Sequence, residues 1–130
     1  MGGHALWTRA ALAADIPIAL SFTVETDGRL PTGQALGDAV AEVDAATDNG
    51  PAYFMINCAH PDHFDTALTD GPWMKRIKGI IANASRCSHT ELDEAEELDD
   101  GNPRELGFQL PEIRRRFPHI SVLEDAVVLI

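Results

Sequence analysis

The chain has 130 residues, of which 45% are apolar, so it has room for one ordinary globular domain. Its formal net charge of -11 argues against binding to nucleic acid or to an anionic membrane, because nothing would neutralise the phosphates. No apolar run approaches the ~20 residues that span a bilayer, and the start of the chain lacks the features of a signal peptide, which predicts a cytoplasmic location.

The first part of the chain is predicted to form a helix, a strand and a second helix. Residues 4–14 are rich in helix formers, and residues 16–24 are a β-branched and aromatic run of strand length. Glycines and a proline then mark a loop that begins near Glu25. Across residues 34–47, apolar positions recur at helical spacing, which predicts an amphipathic helix. Its inward positions are Leu36, Val40, Val43 and Thr47.

A second apolar run, residues 52–58, ends on a cysteine and breaks into His60, Pro61 and Asp62. This pattern is typical of an interior strand of a parallel sheet, which would place the Cys58 thiol at the edge where α/β proteins carry their chemistry. A thiol there can bind zinc or act as a nucleophile, or it can be an inert buried cysteine. Asp62 is expected to be the N-cap of a short helix over residues 63–68.

The rest of the chain repeats the alternation. Residues 77–84 are a third strand candidate, and the acidic run 91–100 is interpreted as a solvated loop or helix face. Pro103 suits the first position of a helix over residues 103–117, and residues 120–123 form the fourth predicted strand. The basic residues 114–116 are expected on the solvated face of that helix.

Strands that alternate with helices at this spacing predict a parallel sheet built from βαβ units. Four such strands fit best as half of a closed (β/α)8 barrel. The strand at 16–24 would then expose a hydrogen-bonding edge, which predicts self-association unless the first helix covers it. A flavodoxin-like domain is a weaker alternative, because no strand–helix junction carries a glycine-rich phosphate loop.

The two cysteines, Cys58 and Cys87, are not expected to form a disulfide in a chain without an export signal. Metal ligation or simple burial are the remaining interpretations.

Four segments resemble the homocysteine S-methyltransferase family, whose fold is a (β/α)8 barrel. They are residues 19–33, which contain Glu25, residues 55–61, which contain Asn57 and Cys58, and residues 80–85 and 88–93. Their order and spacing are similar to the fifth to eighth barrel strands of that family. The resemblance therefore implies that residues 1–130 form a partial homocysteine-binding barrel domain without its N-terminal half.

The resemblance also implies a role for four residues. Cys58 matches a zinc ligand of the family and follows Asn57, which is expected to contact substrate. Glu25 matches a glutamate that contacts the amino group of homocysteine, and Asn83 is expected to line the same pocket. Zinc would hold the homocysteine sulfur as thiolate for attack on an activated methyl group, giving methionine. Relatives use S-methylmethionine, S-adenosylmethionine or betaine as donors, and the donor for this chain is left open.

One departure from the family pattern changes the prediction. The family takes two further zinc ligands from paired cysteines after the eighth strand, whereas residues 124–130 here contain none. The four side chains that could replace them are Cys87, His60, His63 and His89. We therefore predict a homocysteine S-methyltransferase-like chain that is inactive in isolation. The alternative is a non-catalytic half-barrel that binds no metal and self-associates.

Overall fold

The computed structural model describes residues 3–69, 71–83 and 102–125, with the backbone alone at Cys58, Pro103, Glu124 and Asp125. The helices are α1 (Gly3–Ala13), α2 (Leu36–Thr47), α3 (Pro61–Phe64) and α4 (Pro103–Arg116), and the strands are β1 (Ala19–Thr23), β2 (Tyr53–Ala59), β3 (Ile77–Ala82) and β4 (Val122–Asp125). Short 3-10 turns cover Asp65–Ala67 and Pro72–Arg76. The acidic run 91–100, Cys87 and His89 lie outside the described residues.

The strands form one four-stranded sheet in the order β1-β2-β3-β4. Every neighbouring pair is parallel. The predicted α/β class, with a helix or 3-10 turns between consecutive strands, is therefore confirmed. This arrangement is consistent with half a barrel, whereas the assignment to barrel strands five to eight stays a prediction.

One face of the sheet carries the hydrophobic core. Phe22 on β1, Phe54 and Ile56 on β2 and Ile80 on β3 are all almost completely buried. The rings of Phe22 and Phe54 stack with centroids 5.6 Å apart and planes 8° from parallel. All four predicted inward positions of α2 are also buried, so the amphipathic helix is confirmed.

The alternate residues of the strands point to the opposite face. Among the described residues, no helix buries this second face: Ser21 is exposed, and Tyr53, Met55, Asn57 and Ile81 are only partly buried. Parallel sheets in proteins normally have both faces covered. This second face is called the open face below.

β1 lies at one edge of the sheet and, within the described ranges, pairs only with β2. Helix α1 packs against α2, and its His4 ring reaches Phe22 with centroids 4.5 Å apart. Leu6 and Trp7 on α1 remain exposed. A cavity of about 460 Å³ lies between α1, β1 and α2, with Leu30 and Val43 in its wall.

Arg76 joins three parts of the fold. Its guanidinium donates to both carboxylate oxygens of Asp44 on α2, at 2.9 and 3.0 Å, and to the carbonyls of Pro51 and Ala52 before β2. It also lies over the Phe54 ring, 5.4 Å from the centroid. Because Ile77 follows directly, this contact fixes the start of β3 against α2 and β2. We call it the Arg76 clamp.

Three local predictions need correction. β1 is shorter than residues 16–24 and β4 begins at Val122 instead of residue 120, because the residues before each strand make local hydrogen bonds: the Ile16 N–H donates to Ala11 and the Ile120 N–H to Phe117. Asp62 is not the N-cap of the short helix. His60 has that position, and its Nδ1 atom accepts from the Asp62 backbone N–H at 3.0 Å.

Other predictions about the surface hold. Arg114, Arg115 and Arg116 are exposed on α4, while Ile113 and Phe117 beside them are buried, as predicted for a solvated helix face. In the described part of the chain, no helix is both long enough and apolar enough to cross a bilayer. The cytoplasmic location stays a prediction.

Candidate functional site

The loop after β1 holds Glu25 where the carboxyl ends of the parallel strands lie side by side, which is called the carboxyl edge of the sheet below. The Glu25 N–H donates to the Arg29 carbonyl at 2.8 Å, and the Glu25 carbonyl accepts from Gly28 at 3.0 Å. Gly28 has φ +78°, and a Cβ there would lie 2.7 Å from the His63 carbonyl oxygen. The loop is thus closed on itself and packed against α3, and Glu25 is half-buried within it.

Asn57 lies on the open face near the end of β2. Ser21 Oγ donates to its Oδ1 at 2.8 Å, and its Nδ2 donates to Thr23 Oγ1 at 3.4 Å. These bonds connect β1 and β2 across the face and fix the amide orientation, with the carbonyl toward Ser21 and the NH2 toward Thr23.

Cys58 follows at an irregularity in the strand. Asn57 pairs with Ile81 and Ala59 pairs with Ala82, so β2 has one residue more than β3 between these pairs. Such a bulge locally changes the direction of the strand. The backbone of Cys58 lies one residue before the end of β2, as predicted. The function of Cys58 as a metal ligand stays a prediction.

Asn83 directly follows β3 and is 5% exposed. Its backbone N–H donates to the Ala59 carbonyl at 2.9 Å, which aligns it with the end of β2. The side-chain Oδ1 atom is buried, and no donor reaches it in the part of the chain that the structure describes. A buried oxygen without a donor costs roughly 1–3 kcal/mol, so this atom is suited to receive a hydrogen bond from a ligand or a water molecule.

The three adjacent strands bring the predicted site residues to one edge. Thr23, Asn57 and Ile81 form one row across β1, β2 and β3. Glu25 and Asn83 each follow this row by two residues along the chain, just after β1 and β3 end. The sequence-predicted residues Glu25, Asn57, Cys58 and Asn83 therefore share the carboxyl edge of the sheet.

The histidines proposed as alternative ligands occupy the start of α3. His60 is fully buried, and its ring centroid lies 5.8 Å from that of His63. A group that the sequence analysis missed lies here: ligand atoms of His60, Asp62 and Glu105 are all within 4.8 Å of one another. No local sequence pattern predicts this group, because Glu105 lies on α4 and only the tertiary fold brings it close to His60.

Comparison with known proteins adds one finding. The model of the family described as homocysteine S-methyltransferase matches residues 4–111. Neither a curated protein nor a solved structure matches the chain at a significant level.

Proposed function

We propose that the carboxyl edge of the sheet forms part of a homocysteine-binding site, because this chain belongs to the homocysteine S-methyltransferase family. The model of that family matches residues 4–111. We further propose that residues 1–130 are a partial barrel domain corresponding to strands five to eight. The reaction would transfer a methyl group to the homocysteine sulfur, which loses its thiol proton. A bond forms between this sulfur and the methyl carbon. The bond between the methyl carbon and the donor breaks, and its electron pair stays with the donor.

The observation that carries the proposal is the arrangement of oxygen acceptors at this edge. Glu25 and Asn83 follow β1 and β3 at matching positions, and Asn83 Oδ1 is a buried acceptor without a donor among the described residues. The α-ammonium group of homocysteine carries three N–H donors. We propose that Glu25 binds this ammonium by charge, that Asn83 accepts one of its hydrogen bonds and that Asn57 contacts substrate.

Asn57 is suited to such a contact because its amide is already oriented. Ser21 and Thr23 hold both ends of the amide group, so little side-chain entropy remains to be lost when a substrate binds.

Zinc is a separate question, because the described residues alone do not match a thiolate-rich site. They include one cysteine, Cys58, and a single thiolate does not hold zinc tightly. We therefore propose Cys58 as one ligand at most, and we propose that the 130-residue chain alone does not catalyse methyl transfer.

Homocysteine binding tests the proposal directly. We expect added homocysteine to shift backbone NMR signals of residues near Glu25 and Asn83, and we expect Glu25→Gln to weaken binding about tenfold through loss of one charge contact. Asp27→Asn is the matched control, because Asn keeps the acceptor that Asp27 Oδ1 presents to the Arg29 N–H. Equal affinity in the wild type and Glu25→Gln, or no binding by either, would contradict the proposed substrate contact.

A metal-free, self-associating half-barrel is the second candidate function, and the open face favours it. The sheet has an uncovered face within the described ranges, an edge at β1, and exposed Leu6 and Trp7 on the neighbouring helix. We expect light scattering to find dimers or larger species, and Trp7→Lys to reduce them more than Phe108→Lys, an equally exposed position on α4. A monodisperse monomer with a high-melting cooperative transition would exclude this candidate.

A further inference from the structure

We propose that His60, Asp62 and Glu105 bind a divalent transition-metal ion between α3 and α4. One ligand atom from each side chain lies within 4.8 Å of the other two. Ligands of one ion at bonds of about 2.0–2.2 Å lie up to about 4.4 Å apart, so a small closing of the cluster suffices. The proposed site has nitrogen and oxygen donors instead of thiolates, and it does not depend on the proposed function.

The fold brings the three ligands together from two helices. His60 directly follows β2 and is fully buried, and Asp62 lies in the first turn of α3. Glu105 lies in the first turn of α4, where its backbone N–H donates to Asn102 Oδ1 at 3.1 Å. Helix α4 also contacts the 3-10 turn that follows α3, through Arg116 and Asp65. The cluster therefore belongs to a packed junction of the fold, with its histidine in the interior.

A second observation at this junction also favours a cation. Gln109 on α4 donates from Nε2 to Asp62 Oδ1 at 2.8 Å, which orients the Asp62 carboxylate. The Oε1 atom of the same amide is buried and has no hydrogen-bond donor in the described ranges. The junction thus holds, on the amide that binds the Asp62 carboxylate, an oxygen without a donor among the described residues. A bound cation, directly or through one of its water molecules, would satisfy this oxygen.

The donor set selects the class of metal. Magnesium and calcium take oxygen ligands almost exclusively, whereas imidazole suits zinc, cobalt, iron and nickel. One imidazole with two carboxylates therefore favours a first-row transition metal over the alkaline-earth ions. Since the ligating ring nitrogen must present a lone pair, binding either displaces a ring proton or replaces the bond from the Asp62 N–H.

Cobalt(II) is the probe for the test, because its absorption spectrum reports the ligand type. We expect metal-stripped protein to bind one equivalent of Co²⁺ with weak visible bands and without the intense near-ultraviolet charge-transfer band of a cobalt–thiolate bond. Asp62→Asn and Glu105→Gln should each lower the affinity at least tenfold. Glu112→Gln is the matched control: it removes another carboxylate from α4, whose partner Arg115 lies outside the cluster.

Circular dichroism of each variant establishes that it is folded, and Glu105→Gln, a partly exposed position, keeps the test valid if Asp62→Asn unfolds. The proposal is overturned if Co²⁺ does not bind, or if Glu105→Gln binds it as well as the wild type does. It is also overturned if a charge-transfer band appears and disappears in Cys58→Ser. That last result would instead support Cys58 as a metal ligand. The experiment therefore distinguishes the site at His60, Asp62 and Glu105 from a site at Cys58.

Discussion

The two faces of the sheet differ in what their side chains contribute. The covered face presents Phe22, Phe54, Ile56 and Ile80, all almost completely buried. The open face presents Ser21, Tyr53, Met55 and Asn57, and its hydrogen bonds run between side chains. Stability therefore comes mainly from the covered face, whereas the residues of the open face are available for a ligand or for another part of a larger assembly.

The largest expected effect tests this difference on adjacent residues of β2. Phe54→Ala should destabilise the fold by about 3–5 kcal/mol, because it leaves a large cavity among well-packed neighbours. Met55→Ala, one residue later on the open face, should cost much less, since Met55 is only partly buried. Urea unfolding followed by circular dichroism measures both. Equal losses would show that the open face is also packed in solution.

A middle-sized effect concerns the loop that holds Glu25. Gly28→Ala should destabilise the protein by more than about 1 kcal/mol, because its φ of +78° disfavours a side chain and a Cβ would meet the His63 carbonyl. Gly33→Ala is the control, since Gly33 has a similar φ of +85° with no atom within 4 Å of the added Cβ. The difference between the two melting temperatures measures the close contact with α3. If the two variants melt together, this loop is not held against α3.

The smallest effect lies on the open face itself. Ser21→Ala removes the donor to Asn57 Oδ1, and we expect a loss below about 1 kcal/mol because the bond is exposed. The amide of Asn57 should then become more mobile, visible as changed relaxation of its side-chain NMR signals. An unfolding loss as large as that of Phe54→Ala would contradict the proposed difference between the two faces.

Sequence periodicity predicted most of the architecture. The inward positions of α2 and the parallel direction of the strands followed from local patterns, and their order agrees with the half-barrel prediction. Strand ends did not follow from these patterns, because the residues before β1 and β4 make local hydrogen bonds with the preceding helices that residue preference does not reveal. Residue preference predicts Asp62 as a helix cap, yet the ring of His60 takes that position.

The candidate site was partly predictable for a similar reason. Glu25, Asn57 and Asn83 each stand at the end of a strand, so the parallel topology alone brings them to one edge. The grouping of His60, Asp62 and Glu105 depends on how α4 docks beside α3, and no local pattern encodes that contact. Likewise, only the tertiary structure identifies Asn83 Oδ1 as a buried acceptor without a donor among the described residues.

The Arg76 clamp has a consequence for how the molecule opens. One guanidinium simultaneously holds a carboxylate of α2, the backbone that leads into β2 and, through the adjacent Ile77, the beginning of β3. If any one of these segments detaches, the other segments also lose their hydrogen bonds to Arg76 or their link to it. Amide hydrogen exchange in α2, β2 and β3 should therefore proceed at a common rate, as a single cooperative unit, while α1 exchanges sooner.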